Sequence, residues 1–342
     1  WFGIRFSGSY KGDPGWGTRH RNRYRPTPSS SLTLPFSMSR SSFLLLAFLG
    51  ALTLVAVRAE RTRVVFDEDS PAGRIRVAER PDGLRELYIG SSRGRQTALY
   101  VDRPGHLELP YTRVATAGLA WLPDDGRVLF VGLGGGAMPT FTRAHFPRAR
   151  IDAVELEPRV VEVAREWFGF RDDSLMRAHV ADGRVFIEEA EPGSWDVIIL
   201  DAFSDGDVPI PLATEEFLEA TRRALKPGGV VASNLHTGSP RFDAMVATYQ
   251  AVFPEVGLVQ VPERGQRILL AGGDGVGGGR AWGDGAIPGS GGFVWSAGRD
   301  AVLPRIRALA EARDLGFDLV TIVEGGYSEP DPVAAAVLRD PG

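Results

Sequence analysis

The chain has 342 residues, of which 43% are hydrophobic and 24% are charged, a composition that is typical of folded globular proteins and excludes collagen-like, coiled-coil and disordered chains. It contains no cysteine, which excludes disulfide scaffolds, thiol catalysis and cysteine-ligated metal clusters. The first 59 residues hold eight basic residues and one acidic residue, and the rest of the chain holds 31 basic and 42 acidic residues. This acidic body favours cationic small molecules over nucleic acid as ligands.

Two N-terminal segments are set apart from the fold. Residues 1–37 are rich in Gly, Ser, Pro and Arg without periodicity, and we predict that they are disordered, with Met38 as a candidate for the true start. Residues 38–59 contain a 15-residue apolar run, 43–57, whose last residue begins the tripeptide Val57-Arg58-Ala59. This pattern is more typical of a signal peptide than of a membrane anchor, which needs ~20 apolar residues. A buried or frayed N-terminal helix is the third interpretation of this segment.

The charges around this apolar run point the other way. Three arginines follow it, Arg58, Arg61 and Arg63, and positively charged flanks tend to stay in the cytoplasm. Two localisations therefore stay open. The protein is either exported or membrane-anchored through residues 38–59, or it is cytoplasmic and that segment is not used. Membrane contact is expected only through residues 43–57, if they are not cleaved.

Residues 64–110 have the pattern of a small antiparallel β region. Short apolar stretches at 74–78, 85–89 and 97–101 are separated by the turn clusters Arg-Pro-Asp-Gly and Gly-Ser-Ser-Arg-Gly. Clusters of Gly, Pro, Asp and Ser between strand-like stretches are typical of hairpins.

Residues 111–270 alternate apolar strands with amphipathic helices. After a first helix, 111–120, the predicted strands are 128–131, 150–154, 178–181, 196–200 and 230–234, and the predicted helices are 139–145, 158–168, 185–189 and 214–225. Such alternation predicts an α/β fold with a doubly wound, Rossmann-like, mainly parallel sheet. Ligands of such sheets bind at the carboxyl ends of the strands.

The C-terminal part begins with a glycine-rich segment. Residues 271–292 contain 11 glycines and are predicted to form a loop, because glycine raises the entropic cost of order. Residues 293–342 are predicted to add to the sheet through a helix at 301–312 and a strand at 317–323.

Two motifs indicate a nucleoside site. The turn after the strand 128–131 contains Gly132, Gly134 and Gly136, and glycines there let the backbone turn tightly and approach a ligand. Glu155 ends the next strand, 23 residues after Gly132. A carboxylate at this point accepts hydrogen bonds from both ribose hydroxyls.

Two further strand ends carry acids. Asp182 and Gly183 follow the third strand, where Asp182 is placed to accept a hydrogen bond from an adenine amino group and Gly183 leaves room for the base. Asp201 follows the fourth strand, 196–200, at the mouth of the predicted sheet.

These elements, in this order, resemble a class I S-adenosylmethionine-dependent methyltransferase fold. More specifically, residues 64–270 resemble the spermidine synthase-like, or polyamine aminopropyltransferase, family, because Gln96 and Tyr111 also stand where that family's pattern has them. The resemblance implies a transferase of polyamine biosynthesis type, with S-adenosylmethionine or its decarboxylated form as co-substrate and an amine as acceptor. It implies that Gln96 belongs to the donor site, that Tyr111 and Asp201 are catalytic, and that Asp201 deprotonates or orients the attacking amine.

Several positions depart from the family's pattern. Gly135 stands where the family has an Asp that holds the donor's amine, and Arg113 and Ala117 stand where it has Glu and His. The second acid of the strand-end motif, Asp205, is four residues after Asp201 instead of three. Asp205, together with Asp207, is expected to make the mouth acidic, and His236, after the fifth strand, is a second candidate substrate-binding residue.

The sequence leaves three other functions to consider. Gly135 and Ala117 favour a methyltransferase of unknown substrate on the same scaffold, and an exported, non-catalytic binding domain is a third interpretation. A NAD-dependent oxidoreductase is disfavoured, because it has no need for acids after the third and fourth strands. The sequence has five His residues but no His-Glu-x-x-His motif, so no metal is predicted. A homodimer is a candidate assembly.

Overall fold

The computed structural model describes residues 61–90, 94–204, 206–272 and 298–341. The segments predicted at 1–37 and 38–59 lie outside these residues, as do Asp205 and all but the first two residues of the glycine-rich segment 271–292. Within the part of the chain that is described, no helix is both long and apolar enough to span a membrane.

The N-terminal region forms a four-stranded antiparallel sheet with sequential strand order, which agrees with the sequence prediction. Its strands are β1 (Arg63–Ser70), β2 (Gly73–Glu79), β3 (Leu84–Ile89) and β4 (Thr97–Tyr100). The turn between β2 and β3 is closed by a 2.9 Å hydrogen bond from the Gly83 amide to the Arg80 carbonyl. Gly83 has φ of 86°, so glycine suits this turn.

The second sheet has eight strands in the order β12-β10-β11-β9-β8-β5-β6-β7. Its strands are β5 (Arg127–Val131), β6 (Arg150–Glu155), β7 (Met176–Val180), β8 (Trp195–Leu200), β9 (Leu225–His236), β10 (Val256–Gln260), β11 (Gln266–Gly272) and β12 (Tyr327–Ser328). The five strands from β9 to β7 run parallel, and β11, β10 and β12 are added antiparallel. The prediction of a mainly parallel sheet is confirmed.

Helices cover both faces of this sheet. They are α1 (Pro110–Ala115), α2 (Ala137–His145), α3 (Pro158–Trp167), α4 (Gly183–Glu188), α5 (Glu215–Ala224), α6 (Phe242–Val252), α7 (Arg299–Ala312) and α8 (Leu319–Gly326), with a 3₁₀ turn at Thr116–Trp121. Phe130 of β5 packs in the core that includes residues of α2, α3, α7 and α8, whereas its neighbour Leu129 packs in the core that includes residues of α4, α5 and α6. This alternation is the two-sided burial expected of a doubly wound α/β fold.

The predicted strand at 317–323 is wrong, because this segment begins a helix. Asp318 caps α8 by accepting a 3.0 Å hydrogen bond from the Thr321 amide. Leu319 and Val323, one helical turn apart, are fully buried. A short apolar run does not distinguish a strand from a buried helix. The sheet is instead extended by the two residues of β12, which pair with β10.

The last described residues form an extended segment, residues 330–340, which we call the C-terminal strap. Its backbone lies against α5 and α6: the Leu338 carbonyl accepts a 2.8 Å hydrogen bond from the Glu215 amide. The Leu338 amide donates to Thr248 Oγ1 at 3.0 Å, and the Asp340 amide donates to Glu216 Oε2 at 3.0 Å.

Candidate active site

The carboxyl ends of β5, β6 and β8, together with the residues that follow β7, open into a cavity of about 1130 Å³. Parallel strands bring their carboxyl ends to one edge of the sheet, so residues far apart in sequence meet there. Predicted site residues that line the cavity are Gln96, Tyr111, Gly132, Gly134, Glu155, Asp182, Gly183 and Asp201.

The glycine turn is shaped by the neighbouring strand end. Gly132 has φ of 96°, and a Cβ on it would lie 2.4 Å from the carbonyl oxygen of Asp201, so no larger residue fits this position. Gly136 does not line the cavity. It begins α2 with φ of 77°, and a Cβ there would lie 2.7 Å from the ring of Phe170, so its role is close packing.

Glu155 is held by backbone amides at the end of β6. Its Oε2 accepts a 3.0 Å hydrogen bond from the Leu133 amide of the glycine turn, and its Oε1 accepts a 3.1 Å bond from the Glu157 amide. Each carboxylate oxygen can accept more than one hydrogen bond. Glu155 therefore keeps acceptor capacity for two further donors, as the vicinal hydroxyls of a ribose would supply.

Asp182 caps helix α4. Its Oδ1 accepts a 2.8 Å hydrogen bond from the Arg184 amide, and its other carboxylate oxygen has no partner among the residues described. Next to it, a Cβ on Gly183 would lie 2.6 Å from Val131 Cγ1. Asp182 thus caps a helix with one carboxylate oxygen and presents the other as a free acceptor at the cavity wall. The sequence alone did not show that it has both roles.

Asp201 lies at the centre of a hydrogen-bonded group. Its Oδ1 accepts a 2.9 Å bond from Asn234 Nδ2, and the Tyr111 hydroxyl is a second hydrogen-bonding neighbour. Burial raises the pKa of Asp201 to about 7, although hydrogen bonds from Asn234 and Tyr111 act in the opposite direction. A carboxyl group with such a pKa exchanges protons near neutral pH, as a general base must.

Tyr111 approaches Asp201 from helix α1. Its pKa lies well above the usual range because the phenol is desolvated and because the carboxylate of Asp201 is close. Its hydroxyl also lies 3.3 Å from the backbone carbonyl of Gln96. Tyr111 therefore stays protonated and acts as a hydrogen-bond donor at the site.

A second, smaller cavity of about 490 Å³ lies beside the first and shares Gln96, Leu109, Tyr111 and Phe203 with it. His236 lines this cavity, as do three residues that the sequence analysis did not select as site residues: Asn234, Glu263 and Gln266. Gln266 Nε2 donates a 3.2 Å hydrogen bond to Asn234 Oδ1. Asn234 could have been selected from the sequence, because it lies near the carboxyl end of β9, the strand next to β8.

The loop after β8 is tied to helix α6. Asp207 Oδ2 accepts hydrogen bonds from Arg241 Nη2 at 2.6 Å and from Ser239 Oγ at 2.7 Å. The expectation that Asp207 makes the mouth acidic is therefore wrong, because an arginine neutralises it. Asp205 lies outside the described residues. Among the residues described, no group of three or more acidic or His side chains is placed to hold a metal ion.

Comparisons with known proteins agree with this geometry. Residues 112–263 match the model of the spermine/spermidine synthase domain. The polyamine aminopropyltransferase of Vibrio vulnificus is 34% identical over 217 residues, which cover 62% of this chain and 72% of that protein.

Two solved structures share the fold. A probable spermidine synthase from Corynebacterium glutamicum superposes with a TM-score of 0.55 at 24% identity, covering 62% of this chain and 81% of that one. Human methyltransferase-like protein 13, solved in complex with SAH, superposes with a TM-score of 0.50 at 29% identity, covering 62% of this chain and 94% of that one. With its sequence relatives, its two sheets and its strand-end acids, the chain belongs to the spermidine synthase-like, or polyamine aminopropyltransferase, family of transferases.

Proposed function

We propose that this protein transfers an aminopropyl group from decarboxylated S-adenosylmethionine to a small amine. The observation that carries the proposal is the position of Asp201, which lines the larger cavity and is hydrogen-bonded to Asn234, a residue of the smaller one. A base at this junction can accept a proton from an amine that is bound in the smaller cavity. That amine can then attack a donor that is bound in the larger cavity.

The charges of the larger cavity support a donor without a carboxylate. Its described lining includes four acids, Glu155, Glu157, Asp182 and Asp201, and one cation, Arg74. Arg74 is already paired with both carboxylate oxygens of Asp67, at 2.6 and 2.8 Å. Decarboxylated S-adenosylmethionine carries a sulfonium and an ammonium and no carboxylate, so such an acidic lining suits it.

The nucleoside part of the donor has matching partners. Glu155 would accept hydrogen bonds from the ribose hydroxyls, and the free oxygen of Asp182 would accept one from the adenine amino group. That human methyltransferase-like protein 13 was solved with SAH supports a site for an adenosyl thioether or sulfonium in this fold.

The chemistry at Asp201 is a nucleophilic substitution. The amine of the acceptor, once it has given a proton to the Asp201 carboxylate, attacks the aminopropyl carbon bound to sulfur. The new C–N bond forms as the C–S bond breaks, and methylthioadenosine leaves with the bonding electrons as a neutral thioether. Tyr111, which stays protonated, lies beside Asp201 and donates a 3.3 Å hydrogen bond to the Gln96 carbonyl.

A methyltransferase is the second candidate, and Gly135 favours it. The Gly135 amide donates a 2.8 Å hydrogen bond to Thr97 Oγ1, and a Cβ on Gly135 would lie 2.7 Å from Thr97 Cγ2 and 3.0 Å from Phe168. The site therefore has neither a carboxylate nor room for one where the family's pattern has an acid for the donor's amine.

Calorimetric titration of the full chain with S-adenosylmethionine, its decarboxylated form and methylthioadenosine separates these candidates. We expect the decarboxylated donor to bind at least about tenfold more tightly than S-adenosylmethionine, which corresponds to ~1.4 kcal/mol. We also expect methylthioadenosine to be released when 1,4-diaminobutane is added, as measured by chromatography.

The other outcomes have definite meanings. Tighter binding of S-adenosylmethionine, with a methylated acceptor as product, would replace the proposal with the methyltransferase. Failure of all three compounds to bind would refute the nucleoside site itself.

A further inference from the structure

Arg113 is a departure from the family's pattern that the two cavities do not explain. It stands where that pattern has a glutamate, yet it lines neither cavity. It follows Tyr111 by two positions in helix α1, which corresponds to about 200° of helical rotation. The half-buried side chain of Arg113 therefore leaves the helix on the side away from Tyr111.

The guanidinium of Arg113 holds the segment that leads into helix α1. Its Nε donates a 2.6 Å hydrogen bond to the Leu107 carbonyl, and its Cζ lies 5.8 Å from the centre of the Phe317 ring. A charged donor forms a stronger hydrogen bond than a neutral one, and an aromatic face attracts a cation at this distance. Arg113 thus joins α1 both to the chain before it and to Phe317, which lies two residues before the start of α8.

These contacts continue through an aromatic row to helix α2. The ring of Phe317 lies 6.1 Å from that of Phe141, which lies 4.2 Å from the ring of His145. His145 Nε2 donates a 3.1 Å hydrogen bond to the Gly105 carbonyl, two residues before the carbonyl that Arg113 holds. The contacts thus form a closed set, which we call the clasp: Gly105, Leu107, Arg113, Phe141, His145 and Phe317.

Helix α1 is too short to hold Tyr111 in place by itself. It has six residues, Pro110–Ala115, and no side chain caps its N-terminus. An isolated helix of this length is not stable in water, so its orientation is set by tertiary contacts. Val114 and Ala115 pack in the core at its C-terminal end. Arg113 binds the chain three residues before the helix begins, and so restrains the N-terminal end, where Tyr111 lies.

We propose that Arg113 is a positioning residue, which acts through helix α1 to hold the Tyr111 hydroxyl beside Asp201. The inference rests on the proposed function, because it takes Asp201 and Tyr111 as the reaction centre. It gives a reason for arginine at this position, since a glutamate could not donate a hydrogen bond to the Leu107 carbonyl. It also connects the C-terminal part of the chain to the site through Phe317.

The test measures transfer from decarboxylated S-adenosylmethionine to 1,4-diaminobutane by variants of the full chain. Arg113→Gln removes the charge, Arg113→Lys keeps it, and Phe317→Leu removes the ring beneath the guanidinium. The matched control is Arg313→Gln, because Arg313 lies 4.4 Å from the centre of the Phe146 ring and pairs with Asp124, both outside the clasp.

We expect Arg113→Gln to lower kcat at least about fivefold, because a misplaced catalytic group slows the reaction. Its calorimetric affinity for methylthioadenosine should stay within about twofold of the wild type, since no group that lines the donor cavity is removed. Phe317→Leu should lower kcat in the same direction, and Arg113→Lys should retain most of it. Arg313→Gln should lower the melting temperature and leave kcat unchanged.

Coupling to Tyr111 separates a positioning role from a merely structural one. In the Tyr111→Phe protein there is no hydroxyl to position, so the addition of Arg113→Gln should lower kcat/KM less than about twofold further. Arg313→Gln should have the same effect with and without the Tyr111 hydroxyl.

The pKa of Asp201 gives a readout that needs no turnover. Hydrogen bonding from Tyr111 lowers this pKa, whereas burial raises it. Displacement of Tyr111 should therefore raise the pKa of Asp201 in Arg113→Gln, as in Tyr111→Phe. A general loosening that admits water would lower it instead. Titration of the Asp201 carboxyl carbon by ¹³C NMR measures the shift in each variant.

The results that would overturn the inference differ from those that would reject the proposed function. A lowered pKa of Asp201 in Arg113→Gln, or the full loss of kcat/KM by this substitution in the Tyr111→Phe protein, would overturn the inference and leave aminopropyl transfer intact. Absence of transfer by the wild-type protein would reject the proposed function, and the NMR titration would still decide whether Arg113 positions Tyr111.

Discussion

Asp201 shows how one residue acquires the properties of a base from its surroundings. Desolvation raises its pKa to about 7, and Tyr111 and Asn234 hydrogen-bond to its carboxylate. A bound cationic amine would shift the equilibrium further toward the carboxylate, because an opposite charge favours the ionised form. The acceptor would thus help to ionise the base that accepts its proton.

This environment predicts the pH dependence of transfer. The base acts when it is deprotonated, so kcat/KM should rise with pH through a midpoint near 7 and then level off. Asp201→Asn should lose the transfer rate by ~10²- to 10⁴-fold, the usual contribution of a general base, while methylthioadenosine binding stays nearly constant. The kcat/KM from pH 5 to 9 and the calorimetric affinity for methylthioadenosine, measured on both proteins, test these expectations. Loss of methylthioadenosine binding in the variant would make Asp201 a ligand-binding or structural residue instead.

The same pKa predicts an effect on stability with a definite sign. Between the ordinary value of 3.8 and about 7, the folded protein holds a proton on Asp201 that the unfolded chain has released, so stability falls as pH rises across this window. Asp201→Asn removes that dependence. Its stability relative to the wild type should therefore be greater at pH 8 than at pH 4, as urea unfolding at the two pH values would measure.

At the residue scale, sequence was informative where a side chain directly follows a parallel strand. Gly132, Glu155, Asp182 and Asp201 follow four such strands, and topology brings them to one cavity. Gln266, which lines the smaller cavity, was not found this way, because its position depends on the antiparallel pairing of β9 with β11. That pairing is set by tertiary contacts and not by local periodicity.

Among the elements, the C-terminal strap supports the rim of the larger cavity through Arg184. Asp340, on the strap, forms a two-point ion pair with Arg184 at 2.7 and 2.5 Å. The same guanidinium donates to the Pro211 carbonyl at 3.1 Å and to Thr214 Oγ1 at 3.2 Å. Pro211 and Gly183, the residue before Arg184, both line the cavity, so the strap stabilises this side of the site.

Asp340→Asn should therefore affect donor binding more than chemistry. We expect the donor's KM to rise by ~2- to 5-fold with little change in kcat. A contact that only orders the rim stabilises the bound donor equally in the ground state and the transition state. Arg184→Gln combined with Asp340→Asn should be little worse than Arg184→Gln alone, as coupled partners are non-additive. The control is Arg339→Gln, which removes the ion pair between Glu215 and Arg339, whose side chain is 65% exposed. Additive effects of the Arg184 and Asp340 substitutions would contradict the inference that the strap supports the cavity rim through this ion pair.

Element prediction succeeded or failed for identifiable reasons. Strands β5 and β8 are predictable because they are apolar on both faces and are followed by a glycine and an acid. The short apolar run at 317–323 predicts a strand, and only the cap at Asp318 distinguishes it as the start of α8. Strand β1, with acids at Asp67, Glu68 and Asp69, has too few apolar residues to give a strand signal.

For the molecule as a whole, the small sheet acts as a support for the glycine turn. Ile75, Leu87 and Leu99 from its strands pack in one buried cluster with Val160 and Val163 of α3. Thr97 of β4 is 4% exposed, and its hydroxyl accepts the 2.8 Å hydrogen bond from the Gly135 amide. The donor site thus depends on contacts between the two sheets, not on the parallel sheet alone.

Thr97→Val tests this dependence, since valine keeps the size of the side chain and removes the acceptor. The buried Gly135 amide would lose its partner, which costs ~1–3 kcal/mol of unfolding free energy. Freed from Thr97, the glycine turn should also bind the donor more weakly. Thr97→Ser keeps the oxygen and should retain donor affinity while losing only the packing of its methyl group, which faces Gly135. Urea unfolding and donor titration of both variants decide the matter: if Thr97→Val matches the wild type in both, the small sheet supports the fold without shaping the site.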